Sequence, residues 1–306
     1  MKRYSKIIKY LLAVFIFAML FYIVDLQALL NVFSNLTIEI IVLLILISIL
    51  LVYISALKWS LFLNSKERNV SAIKLFNLYL MGYFINLILP SYIGGDVARS
   101  WYAGKVSGQK KAFSATIMER LTGFIAMMLM GVLAVFLVPD LSQEIRLAVV
   151  IIGLGLFLGI FLIFNNSFFK IFKIIPFINK FYQQILEVQD ILKTSFKNKS
   201  LLSKTLFLSF LFHCFAVVNT YYAGVAVGWT NIPVADLFVV LPLILLIGAI
   251  PITPSGLGLQ EGAFFYFLTM LGASPEEALG VGLVLRAKVY LLAIFGGIVF
   301  LLEKRK

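Results

Sequence analysis

Two Pro/Gly breaks, each followed by acidic and basic side chains at helical spacing, hold most of the chemistry this sequence could perform. The first runs Leu89-Pro90-Ser91-Tyr92-Ile93-Gly94-Gly95-Asp96, continues to Arg99, and is followed by Glu119-Arg120. The second runs Pro251-Ile252-Thr253-Pro254-Ser255-Gly256-Leu257-Gly258, continues to Glu261, and is followed by Arg286 and Lys288. Gly94, Gly95, Gly256 and Gly258 let a chain turn sharply and bare its N–H groups at the start of a helix. A terminus of this kind attracts anions, phosphate above all. Asp96 falls where an N-cap is expected, so its carboxylate competes with a bound anion for the same N–H groups. Asp96 and Arg99 are three apart on one helical face and are expected to pair. Arg286 is the stronger phosphate candidate, because a planar guanidinium binds phosphate through two parallel bonds and stays charged. Lys288 points away from Arg286 and is expected to pair with Glu261 or to face a cavity. For every one of these charges, structural ion pairing and substrate contact both stay open.

Other chemistries are excluded by what the sequence lacks. Cys214 is the only cysteine and lies in an apolar run, so disulfides and cysteine-based metal sites are out. His213 is the only histidine and has no clustered partner; it is expected to be structural. There is no nucleotide phosphate loop, metal-ligand cluster or serine–histidine pair, and no cofactor is expected.

The elements that carry the breaks are membrane helices. Hydrophobic residues make up 62% of 306 positions and charged residues 13%, where soluble domains carry about 45–50% and about 25%. Apolar runs long enough to span a bilayer cover about 7–24, 38–62, 116–138, 146–164, 203–227 and 278–302. The first follows a basic N-terminus but no small-residue cleavage pattern, so it is expected to be a retained span and not a signal peptide. Two shorter stretches, 75–89 and 235–250, end in the Pro/Gly breaks. If both are re-entrant, 23 of the 26 basic residues fall on one side, which the positive-inside rule makes cytoplasmic. If only the first spanned, the lysine-rich loop after 165 would lie outside. The net charge of +12 therefore reflects orientation, and nucleic acid is not expected as a partner. The expectation is an all-α polytopic membrane protein with six transmembrane helices and two opposed re-entrant hairpins. Both termini would lie in the cytoplasm, at the plasma membrane.

The breaks are related to each other. An offset of 164 carries Pro90 to Pro254, Ser91 to Ser255, Gly94 to Gly258 and Gly108 to Gly272, while Arg120 and Arg286 match at 166. One repeat unit covers about 38–138 with its hairpin at 75–107, and the other about 203–302 with its hairpin at 235–272. Within 165–204, Ile178, Phe181, Ile185, Val188, Leu192 and Phe196 recur at helical spacing among lysines. That pattern suits an amphipathic helix on the anionic cytoplasmic leaflet, or a plain linker helix. Opposed hairpins in an inverted repeat point to a transporter with its site near the midplane.

Three motifs, Pro90-Ser-Tyr-Ile-Gly-Gly-Asp96-Val-Ala-Arg99, Glu119-Arg120-Leu-Thr-Gly123 and Pro251-Ile-Thr-Pro-Ser-Gly-Leu-Gly-Leu-Gln-Glu261-Gly, resemble the flippase-like family. Its best-known members are the transmembrane regions of bacterial lysylphosphatidylglycerol synthases, and similar regions are fused to some archaeal glycosyltransferases. The resemblance covers nearly the whole chain. It implies movement of an anionic or aminoacylated phospholipid, or of a polyprenyl-phosphate-linked lipid, between leaflets. In the synthases lysyl transfer belongs to a separate cytosolic domain, so a lysyltransferase is not expected from these residues. The leading expectation is thus a transporter whose partners are membrane lipids, coupled if at all through Asp96, Glu119 or Glu261. The alternatives are a lipid-modifying membrane enzyme using Asp96 or Glu261 as base, and a membrane subunit that docks a cytosolic enzyme through 165–204. A homo-oligomer is compatible with all three.

Overall fold

The structure, a computed structural model, describes residues 2–64, 69–88, 94–139, 141–165, 170 and 182–304. Among these it is all helical. The helices are α1 (Lys2–Ile23), α2 (Leu26–Phe33), α3 (Ile38–Leu63), α4 (Ala72–Ile88), α5 (Gly94–Ser107), α6 (Gln109–Val135), α7 (Gln143–Phe164), α8 (Tyr182–Lys197), α9 (Lys199–Ala226), α10 (Val234–Ala249), α11 (Leu259–Met270) and α12 (Pro275–Lys304). Polar caps set several starts. Asp25 accepts from Ala28 N at 2.8 Å, and Asn198 accepts from Leu201 N at 3.1 Å, each satisfying a donor that the first helical turn cannot.

By length and composition α3, α6, α9 and α12 can each cross a membrane. The pair α1 and α2, bent by 92°, passes the same test together, giving up to five candidate spans among the described residues. Helix α7, 22 residues long, occupies the expected 146–164 span. Each of the six expected spans therefore lies on a long helix, although helix length alone does not fix the number that cross. The expected third span begins earlier than its apolar run. Helix α6 starts at Gln109, so Glu119 and Arg120 sit well inside it, because the more polar residues 109–116 continue the helix toward its N-terminus. Of the amphipathic segment, Ile178 and Phe181 lie outside the described residues, and α8 covers 182–197.

One succession occurs twice: a long helix, a short helix, a break, a second short helix, and a long helix. It is α3–α4–α5–α6 in the first half and α9–α10–α11–α12 in the second. The corner after each second short helix is a glycine with positive φ, 92° at Gly108 and 93° at Gly272, where a side chain would be strained. In each half the two short helices lie against one another through glycine. A Cβ on Gly95 would overlap the Gly82 carbonyl oxygen, and a Cβ on Gly256 would overlap that of Gly248.

Each half has its own core. Trp59, Leu63, Leu75, Leu78 and Met81 pack around the first short pair, and Leu237, Val240, Ile244, Phe264 and Leu268 around the second. Helix α12 joins them. Its Gly296 approaches α4 so closely that a Cβ would overlap the Leu80 carbonyl oxygen. Large apolar side chains such as Phe15, Leu133, Phe157 and Ile294 face outward, as a lipid-solvated surface requires.

Gly296→Ala is expected to destabilise the protein by about 1–3 kcal/mol, since the clash is with backbone and cannot relax by rotation. Gly155→Ala on α7, where a Cβ meets nothing within 4 Å, should change stability by about 0.5 kcal/mol or less. Thermal unfolding of both variants in detergent micelles checks the contrast.

Candidate functional site: two helix breaks and their charges

The charged residues of the first break form one connected cluster on α3, α5 and α6. Arg99 is 1% exposed and places its guanidinium against the Trp59 and Tyr79 rings, 4.4 and 4.1 Å from their centroids. Burying a guanidinium between two aromatic faces stabilises it by about 2 kcal/mol or more, which offsets part of its desolvation. The rest is offset by carboxylates. Arg99 Nη2 donates to Glu119 Oε2 at 2.8 Å, and Nε donates to Asp96 Oδ1 at 2.9 Å. Glu119 also takes Lys58 Nζ at 3.2 Å, and Asp96 takes Arg120 through a fork, with Nε and Nη2 both at 2.9 Å. Three cations thus share two carboxylates. Arg120 is the accessible member, with half of its side chain exposed.

The expected Asp96–Arg99 pair is present. The N-cap expectation for Asp96 is corrected: α5 begins at Gly94, which puts Asp96 inside the first turn with its carboxylate turned to arginines. Gly95 N donates to Asn86 Oδ1 at 2.6 Å, so α4 supplies the acceptor at this helix start. Pro90 lies outside the described residues.

The second break is closed by a different set. Ser255 has φ 51°, an uncommon left-handed conformation for a residue with a side chain. Arg286 on α12 holds it there. Its Nη1 donates to Ser255 O at 3.1 Å, Nη2 to Gly256 O at 3.3 Å and to Gln260 Oε1 at 3.1 Å, and Nε to Glu261 Oε1. Glu261 in turn accepts from Gly258 N at 2.7 Å, so a carboxylate of the chain itself occupies the anion position at the α11 N-terminus. Arg286 is thereby committed to the hairpin backbone. Lys288 makes no ion pair among the described residues, and Glu261 is taken by Arg286. Pro254 and Gly256 are buried in the short 3₁₀ turn between α10 and α11.

The two breaks touch. Ser255 Oγ donates to Asn86 O at 2.7 Å, joining the second tip to the end of α4. Equivalent arginines serve both: Arg120 on α6 binds the acid in the first turn of α5, and Arg286 on α12 binds the acid in the first turn of α11.

Sequence reasoning missed Lys58, Trp59, Tyr79, Asn86 and Gln260. Lys58 counts naturally as one more cytoplasmic lysine, yet it is 3% exposed inside α3. His213 is structural in its contacts, its Nε2 lying 3.0 Å from Gly123 O.

Removing one member of a buried charge cluster strands the others. Glu119→Gln is expected to cost about 3–5 kcal/mol, and Arg120→Gln, at the exposed edge, about 1 kcal/mol or less. Unfolding of both in the same detergent checks the ranking, and equal losses would overturn it.

Comparison with known proteins agrees with this architecture. The family described as the lysylphosphatidylglycerol synthase TM region matches residues 6–297. A UPF0104 membrane protein of Methanocaldococcus jannaschii is 28% identical over 95% of this chain and 93% of its own length. Another, of Methanothermobacter thermautotrophicus, is 28% identical over 75% of each chain, and one of Pyrococcus horikoshii is 24% identical over 88% of each. No solved structure matches the chain. With a match that runs through both breaks and nearly from end to end, this membrane protein belongs to the lysylphosphatidylglycerol synthase transmembrane-region family.

Proposed function

We propose that the protein is a lipid transporter that carries a lipid with a phosphate-bearing headgroup from one leaflet to the other. The class includes anionic or aminoacylated phospholipids and polyprenyl-phosphate-linked lipids. The observation that supports this most strongly is the meeting of two helix breaks, one of them bordered by a cluster with more cations than carboxylates. Irregular backbone at membrane depth is tolerated where it is buried in protein or lines a wet cavity. Charges there are costly and usually serve a pathway. In this reading the two halves form an inverted repeat of six spans and two re-entrant hairpins, and the headgroup approaches Arg120, whose exposed face is the entry to the first break. The distribution of basic residues supports cytoplasmic termini in a plasma membrane.

Transport is favoured over catalysis by the state of the carboxylates. Asp96, Glu119 and Glu261 are each bound to an arginine, which occupies the carboxylate oxygens that a general base would have to offer to a substrate.

The test is reconstitution into liposomes containing tail-labelled phosphatidylglycerol, with a membrane-impermeant quencher reporting leaflet exchange. The protein should raise the exchange rate well above that of protein-free liposomes. Arg120→Gln should lower it about tenfold while the variant stays folded, a loss that corresponds to one charge-assisted contact. Exchange no faster than in empty liposomes would sink the reading.

A further inference from the structure

The cluster at the first break leaves a particular set of polar atoms without partners. Among the described residues, Arg99 Nη1 and Trp59 Nε1 are buried and make no hydrogen bond, although Arg99 is 1% exposed and Trp59 fully buried. Both are donors only, since neither a guanidinium nor an indole N–H can accept. They belong to residues in direct contact, the Arg99 guanidinium lying 4.4 Å from the Trp59 ring centroid. A buried donor with no acceptor is a cost that a folded chain normally avoids. Here two occur together, in a cage closed by Tyr79 whose own buried hydroxyl is also without a partner, in the cluster that includes the half-exposed Arg120.

The charge balance points the same way. Lys58, Arg99 and Arg120 face Asp96 and Glu119, so the cluster carries one net positive charge. Both carboxylates are held by two cations each. An incoming ammonium would meet a cluster of net positive charge whose exposed member is Arg120, and like charges brought together in a poorly screened setting repel. An incoming phosphate would meet two spare donors, Arg99 Nη1 and Trp59 Nε1, one from each residue.

Resting on the transport reading above, we infer that the first break recognises a phosphate group that carries no amine. The lipid is then a plainly anionic one, such as phosphatidylglycerol or a lipid-linked phosphate, and not an aminoacylated or zwitterionic lipid. Trp59 and Arg99 are the binding residues, each supplying one N–H.

Trp59→Phe is the decisive variant, because it keeps an aromatic ring under Arg99 and removes only the donor. A purely structural Trp59 predicts no change in lipid affinity. A ligand-binding Trp59 predicts phosphatidylglycerol affinity, read by native mass spectrometry, weaker by about tenfold, with the unfolding temperature unchanged or raised. Unchanged affinity would overturn the assignment.

Lipid choice is read separately, by leaflet exchange of tail-labelled phosphatidylglycerol against tail-labelled lysyl-phosphatidylglycerol. Phosphatidylglycerol should move at least about tenfold faster. Equal movement of both overturns the selectivity and leaves transport standing, whereas movement of neither overturns the transport reading itself. Inorganic phosphate added as a competitor distinguishes the source of the group. Displacement of phosphatidylglycerol supports recognition of phosphate in free form as well, and failure to displace it supports a lipid-borne phosphate.

Discussion

A helix that breaks in the buried interior has to find hydrogen-bond partners within the protein, and this requirement organises both halves of the molecule. At the second break the partners are supplied by one side chain: Arg286 gathers two carbonyl oxygens, a glutamine and a carboxylate, and that carboxylate satisfies the N–H at the start of α11. At the first, Asn86 reaches across to Gly95 N, and Asp96 anchors the helix start to α5 and α6 together. Long helices α6 and α12 carry the arginines, so their packing against the short pairs decides where the breaks sit. The close glycine approaches, Gly82 with Gly95 and Gly248 with Gly256, are what bring the short helices near enough for these bonds to form.

The same scaffold is finished differently in its two halves. In the second half one arginine meets one carboxylate, and the rest of its donors go to two backbone carbonyls and the Gln260 side chain. In the first half two arginines and a lysine meet two carboxylates, and aromatic faces take up part of the burden. The first half is thus left with more donors than its carboxylates take up, and the bond from Ser255 to the Asn86 carbonyl ties it to the second.

Much of this was legible from the chain. The breaks, the six long helices and the Gly108–Gly272 correspondence follow from glycine, proline and apolar run length, all of which act locally. The site's interior did not follow, because its members look ordinary in sequence. Trp59 and Tyr79 resemble any aromatic residue of a membrane helix, and only the crossing of α3 with α4 brings them 5.7 Å apart. Lys58 fits the orientation rule so well that nothing marks it as buried. Arg286 stood out in the sequence as a phosphate candidate, but its partners lie on and beside a turn whose left-handed Ser255 no local pattern foretells. Side-chain chemistry could be read at the breaks, whereas pairing across helices depends on packing that linear spacing does not contain.

Lys58 has a consequence for how the protein is made. It lies on α3, and Glu119, the carboxylate that receives it, lies on α6, about sixty residues later in the chain. During synthesis α3 must therefore be placed with an uncompensated lysine, five residues from its C-terminal end, where a long side chain reaches toward the interface at less cost than at a helix centre. The strongly apolar sequence ahead of Lys58, rich in isoleucine, leucine and valine, is what lets α3 carry that charge alone. Insertion of this helix thus precedes and does not depend on the ion pair, and the charge waits in the membrane until the second acid arrives.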